Sequence, residues 1–169
     1  PQEKIKVTAL ALALASMKFD LLKHDPGKVV VFDVANALSF DGFTGPYIQY
    51  THARIMSIIR KSAITSSESI GLGGEIDVGA FKEEVERALA LDLLAFPALI
   101  RCAKEAHNSA MLCRYLFDLA KKFSSFYENC PVLGAEEGLK SARLSLAGAV
   151  VLVLKKGLGI LGIVAVDEM

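Results

Sequence analysis

The chain has 169 residues, 53% of them hydrophobic and 22% charged, which is enough apolar material for one well-packed core and too much for a disordered chain. Its 19 lysines and arginines balance its 19 aspartates and glutamates, so no general positive field draws nucleic acid, and any such binding must come from local patches or stacking. The three cysteines, Cys102, Cys113 and Cys130, are odd in number and lack a Cys-x-x-Cys pair, which points to structural thiols in a reducing cytosol and away from a disulfide scaffold or a metal site.

Residue 1 is proline rather than methionine, as expected of a piece of something longer. Residues 5–22 are rich in alanine and leucine and apolar on most sides, which predicts a helix packed between other elements. After the turn His24-Asp25-Pro26-Gly27, the β-branched run Val29-Val30-Val31-Phe32 predicts a short strand-like segment with no partner strand in view. Residues 38–46 read as a loop that ends in a helix start, with Pro46 suited to the first turn and Thr44 or Gly45 to the cap. That helix should run from Tyr47 to about Ser62. Residues 64–79 carry Thr65, Ser66, Ser67, Ser69 and four glycines and predict a flexible surface loop. Its Gly71-Leu72-Gly73-Gly74 is no phosphate cradle, because no strand precedes it and no lysine-serine or lysine-threonine pair follows.

Helix resumes over residues 81–96, with Glu83, Glu84 and Glu86 near its N-terminal end as an expected solvated face. Pro97 should interrupt it and open a short helix toward Ala106, and Asn108 or Ser109 is placed to cap the next. In that helix Met111, Leu112, Tyr115, Leu116, Leu119, Phe123 and Phe126 repeat at three and four, with Arg114, Asp118, Lys121, Lys122 and Ser125 opposite. The last helix, about residues 139–156, is apolar nearly all round and should lie at the centre, so Leu146 and Leu152 are expected to be equally costly to truncate; Gly157 and Gly159 should end it. The longest apolar runs, 7–15 and 144–154, are well short of the roughly 18 residues a spanning helix needs, and no secretion signal is expected. The prediction is an all-α bundle of about five or six helices, with one strand-like segment near its N-terminus.

Phe40-Asp41-Gly42-Phe43-Thr44-Gly45-Pro46-Tyr47-Ile48-Gln49-Tyr50-Thr51-His52-Ala53-Arg54 resembles the Phe-Glu-Gly-x-Thr-Gly-Pro-Tyr-Leu-Gln-Tyr-Ala-His-x-Arg signature of arginyl-tRNA synthetases. Arg114-Tyr115-Leu116, Leu119-Ala120, Phe126-Tyr127-Glu128-Asn129-Cys130 and Val132-Leu133 are similar to that family's penultimate helix and the turn after it. Ala142-Arg143-Leu144-Ser145-Leu146, Val153-Leu154-Lys155-Lys156-Gly157-Leu158, Leu161-Gly162-Ile163 and Asp167-Glu168-Met169 resemble the closing helix of the helical anticodon-binding domain named for a D-A-L-R signature. Asp41 stands where that family usually has glutamate, and Phe43 where it has asparagine or aspartate, so a bulky Phe43 is expected to pack.

The resemblance implies a class I synthetase parent, an arginine tRNA as partner, a cytoplasmic setting without membrane, and a monomer. Residues 1–35 are expected to be the junction with the catalytic domain, and residues 36–169 the helical domain. The His-x-Gly-His and Lys-Met-Ser-Lys-Ser motifs are missing from this sequence, so ATP and magnesium are cofactors of the parent only; the chain alone is expected to have no catalytic residue, cofactor or metal, and no aminoacylation activity. By the resemblance, Tyr47, Tyr50, Arg54, Tyr127 and Met169 surround the anticodon loop, and Asp41, Gly42, Thr44, Gly45 and Pro46 form a loop that contacts tRNA. Physically, Tyr47, Tyr50 and Arg54 can share one helix face, and rings replace the stacking that anticodon bases lose on capture. Without the resemblance, each tyrosine would read as a core-edge residue with its hydroxyl satisfied. His52 reads as a packing or helix-surface residue, and His24 and His107 as no more. Lys121, Lys122, Lys140, Arg143, Lys155 and Lys156 can line a phosphate backbone only if the fold gives them a shared face. A helical protein–protein interaction domain is the other reading that the zero net charge and apolar last helix permit.

Overall fold

The computed structural model describes residues 2–62 and 78–169. The chain runs α1 (Gln2–Leu22), α2 (Val34–Ala37), α3 (Gly45–Lys61), a 3-10 turn (Val78–Ala80), α4 (Glu84–Glu105), α5 (Ser109–Asn129) and α6 (Glu137–Ile160). No strand occurs among the described residues. Residues 29–32 are irregular coil, with Val29 and Val31 exposed, because no described segment offers them a second ladder of backbone groups. Residues 64–77 of the expected loop, the glycine run included, lie outside the described residues.

Helix α5 is the hub, packed against α1, α3, α4 and α6. Its periodicity is realised as predicted: Leu112, Leu116, Leu119, Phe123 and Phe126 are buried, and the Asn108 side chain caps it by accepting from the Ala110 amide at 3.0 Å. Helix α3 starts as the sequence indicates, the Thr44 hydroxyl accepting from the Tyr47 amide at 3.2 Å with Pro46 in the first turn.

Several expectations are overturned. Helix α1 is covered on one side only, by α2, α3 and α5, so Val7, Leu10, Leu14, Met17 and Leu21 stand exposed at three- and four-residue spacing. Pro97 does not break α4, which continues to Glu105. Proline removes only its own amide from the ladder, freeing the Leu93 carbonyl, while Tyr115 of α5 holds the helix on both sides of that point by stacking on Phe96 at 5.7 Å and donating to the Asp92 carbonyl at 2.8 Å. Helix α6 passes through Gly157, where an added Cβ would strike Leu116, so this glycine serves close packing on α5 rather than termination. The stop is Gly162, at φ 69°, with its own amide bonded to the Gly159 carbonyl and the Ile163 amide to that of Leu158. Leu152 is 39% exposed, unlike the fully buried Leu146, so α6 is not apolar-covered all round.

Glu86 is not on a solvated face. It is fully buried, accepts from the Lys82 and Glu83 amides at 2.9 and 2.8 Å, and pairs with the buried Arg143 of α6 at 2.6 Å. Burial pushes its pKa up, but those amides and the guanidinium prevail and hold it below the usual carboxylate range. Arg143 also donates to the Pro131 carbonyl at 2.7 Å, which takes it out of the expected phosphate-lining set. Cys113 and Cys130 are buried, and burial pushes the Cys113 thiol up to about 12; Cys102 is exposed on α4.

Candidate nucleic-acid interface

Two surfaces of α3 have different work. On one, Gln49 and His52 are fully buried and hold the C-terminal tail: the Gln49 amide donates to the Val164 carbonyl at 2.6 Å, and His52 Nδ1 bonds the Val166 carbonyl at 2.9 Å. Since a carbonyl only accepts, Nδ1 carries the proton. Arg60 extends the grip to the Asp167 carbonyl at 3.2 Å, and from α1 Lys18 bonds Gly162 and Lys4 pairs with Glu168. His52 is therefore a packing histidine, and its pKa is lowered, burial outweighing the Val166 bond and the nearby Asp167 carboxylate.

On the other side of α3, roughly half a turn away, Tyr47, Tyr50 and Arg54 face outward. Tyr47 packs on Phe117 of α5 with centroids 5.4 Å apart, and the Arg54 guanidinium lies 5.0 Å above the Tyr127 ring, itself stacked on Phe123 at 6.3 Å. Position 47 thus meets 117 and position 54 meets 127, so α3 and α5 ascend together and form a seam. Phe43 enters its lower end, between Phe19 at 5.3 Å and Phe117 at 5.1 Å, with Lys23 and Arg114 over its ring at 5.8 and 5.2 Å. Lys121 sits 5.7 Å from the Phe117 centroid. Among the described residues, the cation–ring contacts found all fall on this line, about 20 Å long from Arg114 to Tyr127 at a helix rise of 1.5 Å per residue. Tyr50 is 46% exposed at its flank, in edge contact with the half-exposed Phe40 at 6.3 Å.

The predicted site residues are thus divided. Arg54 and Tyr127 are joined, Tyr47 is half-buried against Phe117, and Tyr50 is open. Met169 is exposed, at the end of the tail gripped on the other side of α3. Of the loop residues, Asp41 and Gly42 are exposed, whereas Thr44 caps α3 and Gly45 and Pro46 are buried, Gly45 so close to α1 that a Cβ would lie 2.8 Å from the Ala15 carbonyl. Of the candidate phosphate contacts, Lys121 joins the seam, Lys122 pairs with Asp92, Lys140 with Glu137 at 3.9 Å, and Lys155 and Lys156 are exposed on α6. The sequence reading missed Phe43, Arg114 and Phe117 as seam members, although Arg114, Phe117 and Lys121 at three- and four-residue spacing offered a signal.

Residues 48–169 match the DALR anticodon binding domain. The chain belongs to that family. This DALR domain chain is 41% identical over 168 residues to the arginine–tRNA ligase of Mannheimia succiniciproducens, covering 99% of the chain but 28% of the relative, and 42% identical over 159 residues to that of Haemophilus ducreyi, covering 94% and 27%. It superposes on the Thermus thermophilus arginyl-tRNA synthetase with TM-score 0.84 at 40% identity, covering 94% of the chain and 27% of that structure. The Plasmodium falciparum arginyl-tRNA synthetase gives 0.81 at 27% identity, covering 99% and 29%. The DALR domain chain thus spans a little over a quarter of the length of the relatives it matches. Among the described residues, none of its helices is long and apolar enough to cross a membrane.

Proposed function

We propose that this chain is the anticodon-reading portion of an arginine–tRNA ligase and that an arginine tRNA lies along the α3/α5 seam. The observation that carries this is the alternation of cations and rings over that seam, because an unpaired RNA strand needs planar faces for its bases and positive charge for its backbone. An unstacked base has two platforms: the exposed Tyr50 ring and the Arg54 guanidinium plane laid over Tyr127. Met169 ends the tail gripped on the other side of α3, so its flexible thioether, suited to an irregular gap beside a base, serves a base that leaves the seam rather than one held on it. Asp41 and Gly42 present the exposed part of the loop to the tRNA.

In this reading the chemistry belongs to a separate catalytic portion of the parent, where ATP and magnesium act; the two signature motifs that the resemblance assigns to that portion are missing from this sequence. In that reading the chain alone is inactive in aminoacylation, works in the cytoplasm as a monomer, and uses residues 1–35 as the junction with the catalytic portion. The open apolar side of α1 supports the junction, since a stripe at helical spacing needs a cover that the described residues do not provide.

The test is binding of an arginine tRNA with its anticodon loop intact or replaced. Tyr127→Ala should lose about 1–3 kcal/mol toward the intact tRNA, as a stacking loss, and much less toward the replaced one. Equal binding of both tRNAs by the wild-type chain, unaltered by Tyr127→Ala, sinks the anticodon reading. An apolar protein contact, the competing use of such a helical domain, would hold its strength as salt rises, whereas tRNA binding should fall steeply.

A further inference from the structure

The seam continues past Phe43 into a cavity of about 390 Å³ whose walls include Lys23, His24, Lys28, Phe43, Met111 and Arg114. Three separate pieces of chain build it: the end of α1 with the turn after it, the loop before α3, and the first turns of α5. The cations there are not equally committed. Lys23 pairs with Asp20 at 2.6 Å and Lys28 with Asp25 at 2.9 Å. Asp25 also lines the cavity, and Asn108 donates to it at 3.1 Å, so its carboxylate is already engaged on two sides. Arg114 forms no close ion pair among the described residues, and the Asp25 carboxylate feels its charge only at longer range; its guanidinium lies over the Phe43 ring, leaving a planar fork of N–H donors open to the cavity. Lys23, over the same ring, has only one of its three N–H directions taken by Asp20 and makes a long contact of 3.4 Å to the Phe43 carbonyl with another. Two cations drawn to one ring leave a concentrated positive wall at the end of a line of aromatic platforms.

We propose that this cavity clamps a backbone phosphodiester of the RNA strand that lies along the seam, with Arg114 as the principal donor and Lys23 and Lys28 beside it. The inference rests on the RNA-binding reading and deepens it: the seam takes bases on its rings, and the cavity holds the strand in register without reading it. Phe43 orients the two cations by its ring face, and its backbone carbonyl takes the long contact from Lys23.

The experiment uses the 169-residue chain and an arginine tRNA transcript, with binding followed by fluorescence anisotropy from about 50 to 200 mM KCl. Arg114→Gln should weaken binding about tenfold, the loss of one charge-assisted contact. It should also make the slope of log affinity against log salt shallower by about 0.7, the value for one contact to a single strand. The loss should be the same for a tRNA with its anticodon loop replaced, and Arg114→Lys should recover most of the salt slope. Lys28→Gln should shift the slope in the same direction by less. An unchanged slope and affinity in Arg114→Gln, with Tyr127→Ala still weakening binding, overturns the clamp and leaves the seam reading intact. A loss confined to the intact anticodon also overturns it, because that would be base reading. Failure of the wild-type chain to bind any tRNA overturns both. Inorganic phosphate alone, titrated while the Arg114 side-chain resonances are followed, should bind weakly and be displaced by the tRNA; tight phosphate binding that tRNA does not displace would make this a free-anion site and end the proposal.

Discussion

The buried polar groups and the cation–aromatic seam are built from the same residue types, yet they are used in opposite ways. Arg143 lies between the Glu86 carboxylate and the Pro131 carbonyl, and His52 and Gln49 reach backbone carbonyls of the tail, so their donors are matched inside the fold. Arg54, Arg114 and Lys121 lie over rings that hold them in place and leave N–H donors facing out. A matched buried cation stabilises the fold and has nothing left for a ligand; a cation propped on a ring contributes little to the fold and stays available. The signature from Tyr47 to Arg54 contains both kinds within eight positions, separated only by which way the helix turns them.

Mutation should widen that contrast. Arg143→Ala leaves Glu86 buried without its partner and should cost about 3–5 kcal/mol in urea unfolding. Arg54→Ala on the seam should stay within about 0.5 kcal/mol. Comparable losses for the two would erase the distinction. In the core, Leu146→Ala should cost about 2–5 kcal/mol because its cavity is enclosed on all sides. Leu152→Ala, on the partly open side of α6, should cost about 1 kcal/mol or less, and parity between the two would mean that α6 is covered in solution.

The smallest effect concerns pH. Folding lowers the His52 pKa below its ordinary 6.5, chiefly by burial, so the unfolded chain takes up the proton first as the pH drops. The stability tied to neutral His52 is therefore complete above about pH 6.5 and declines as the pH falls from there toward the folded value. Unfolding midpoints at about pH 7.5 and about pH 5.5 should differ by more in the wild type than in His52→Gln; an equal difference would place the titration in another group.

Much of this was legible in the sequence. The α5 stripe, the Thr44 and Asn108 caps and the all-helical class follow from local rules, since helix periodicity and capping depend on residues within one or two turns of each other. What failed was decided at a distance. Glu86 looked like one of three solvated acids until α6 brought Arg143 against it, 57 positions along the chain. Gly157 looked like a terminator because glycine ends helices more often than it packs them, and only the approach of Leu116 shows which role it has. The strand-like run at residues 29–32 has the right residues but no neighbour among the described residues to complete it.

The sequence by itself determined that the chain is helical, where most helices begin, and that Tyr47, Tyr50 and Arg54 share a face, because each is a matter of propensity, capping or a 3.6-residue period. Only the tertiary structure decided that Arg54 lies over Tyr127, that Arg114 and Lys23 meet on Phe43, and that the C-terminal tail docks on the opposite side of α3. Those pairings join positions from 20 to more than 100 residues apart, and no local rule fixes how two helices are rotated against each other; the close packing of α1, α3, α5 and α6 does.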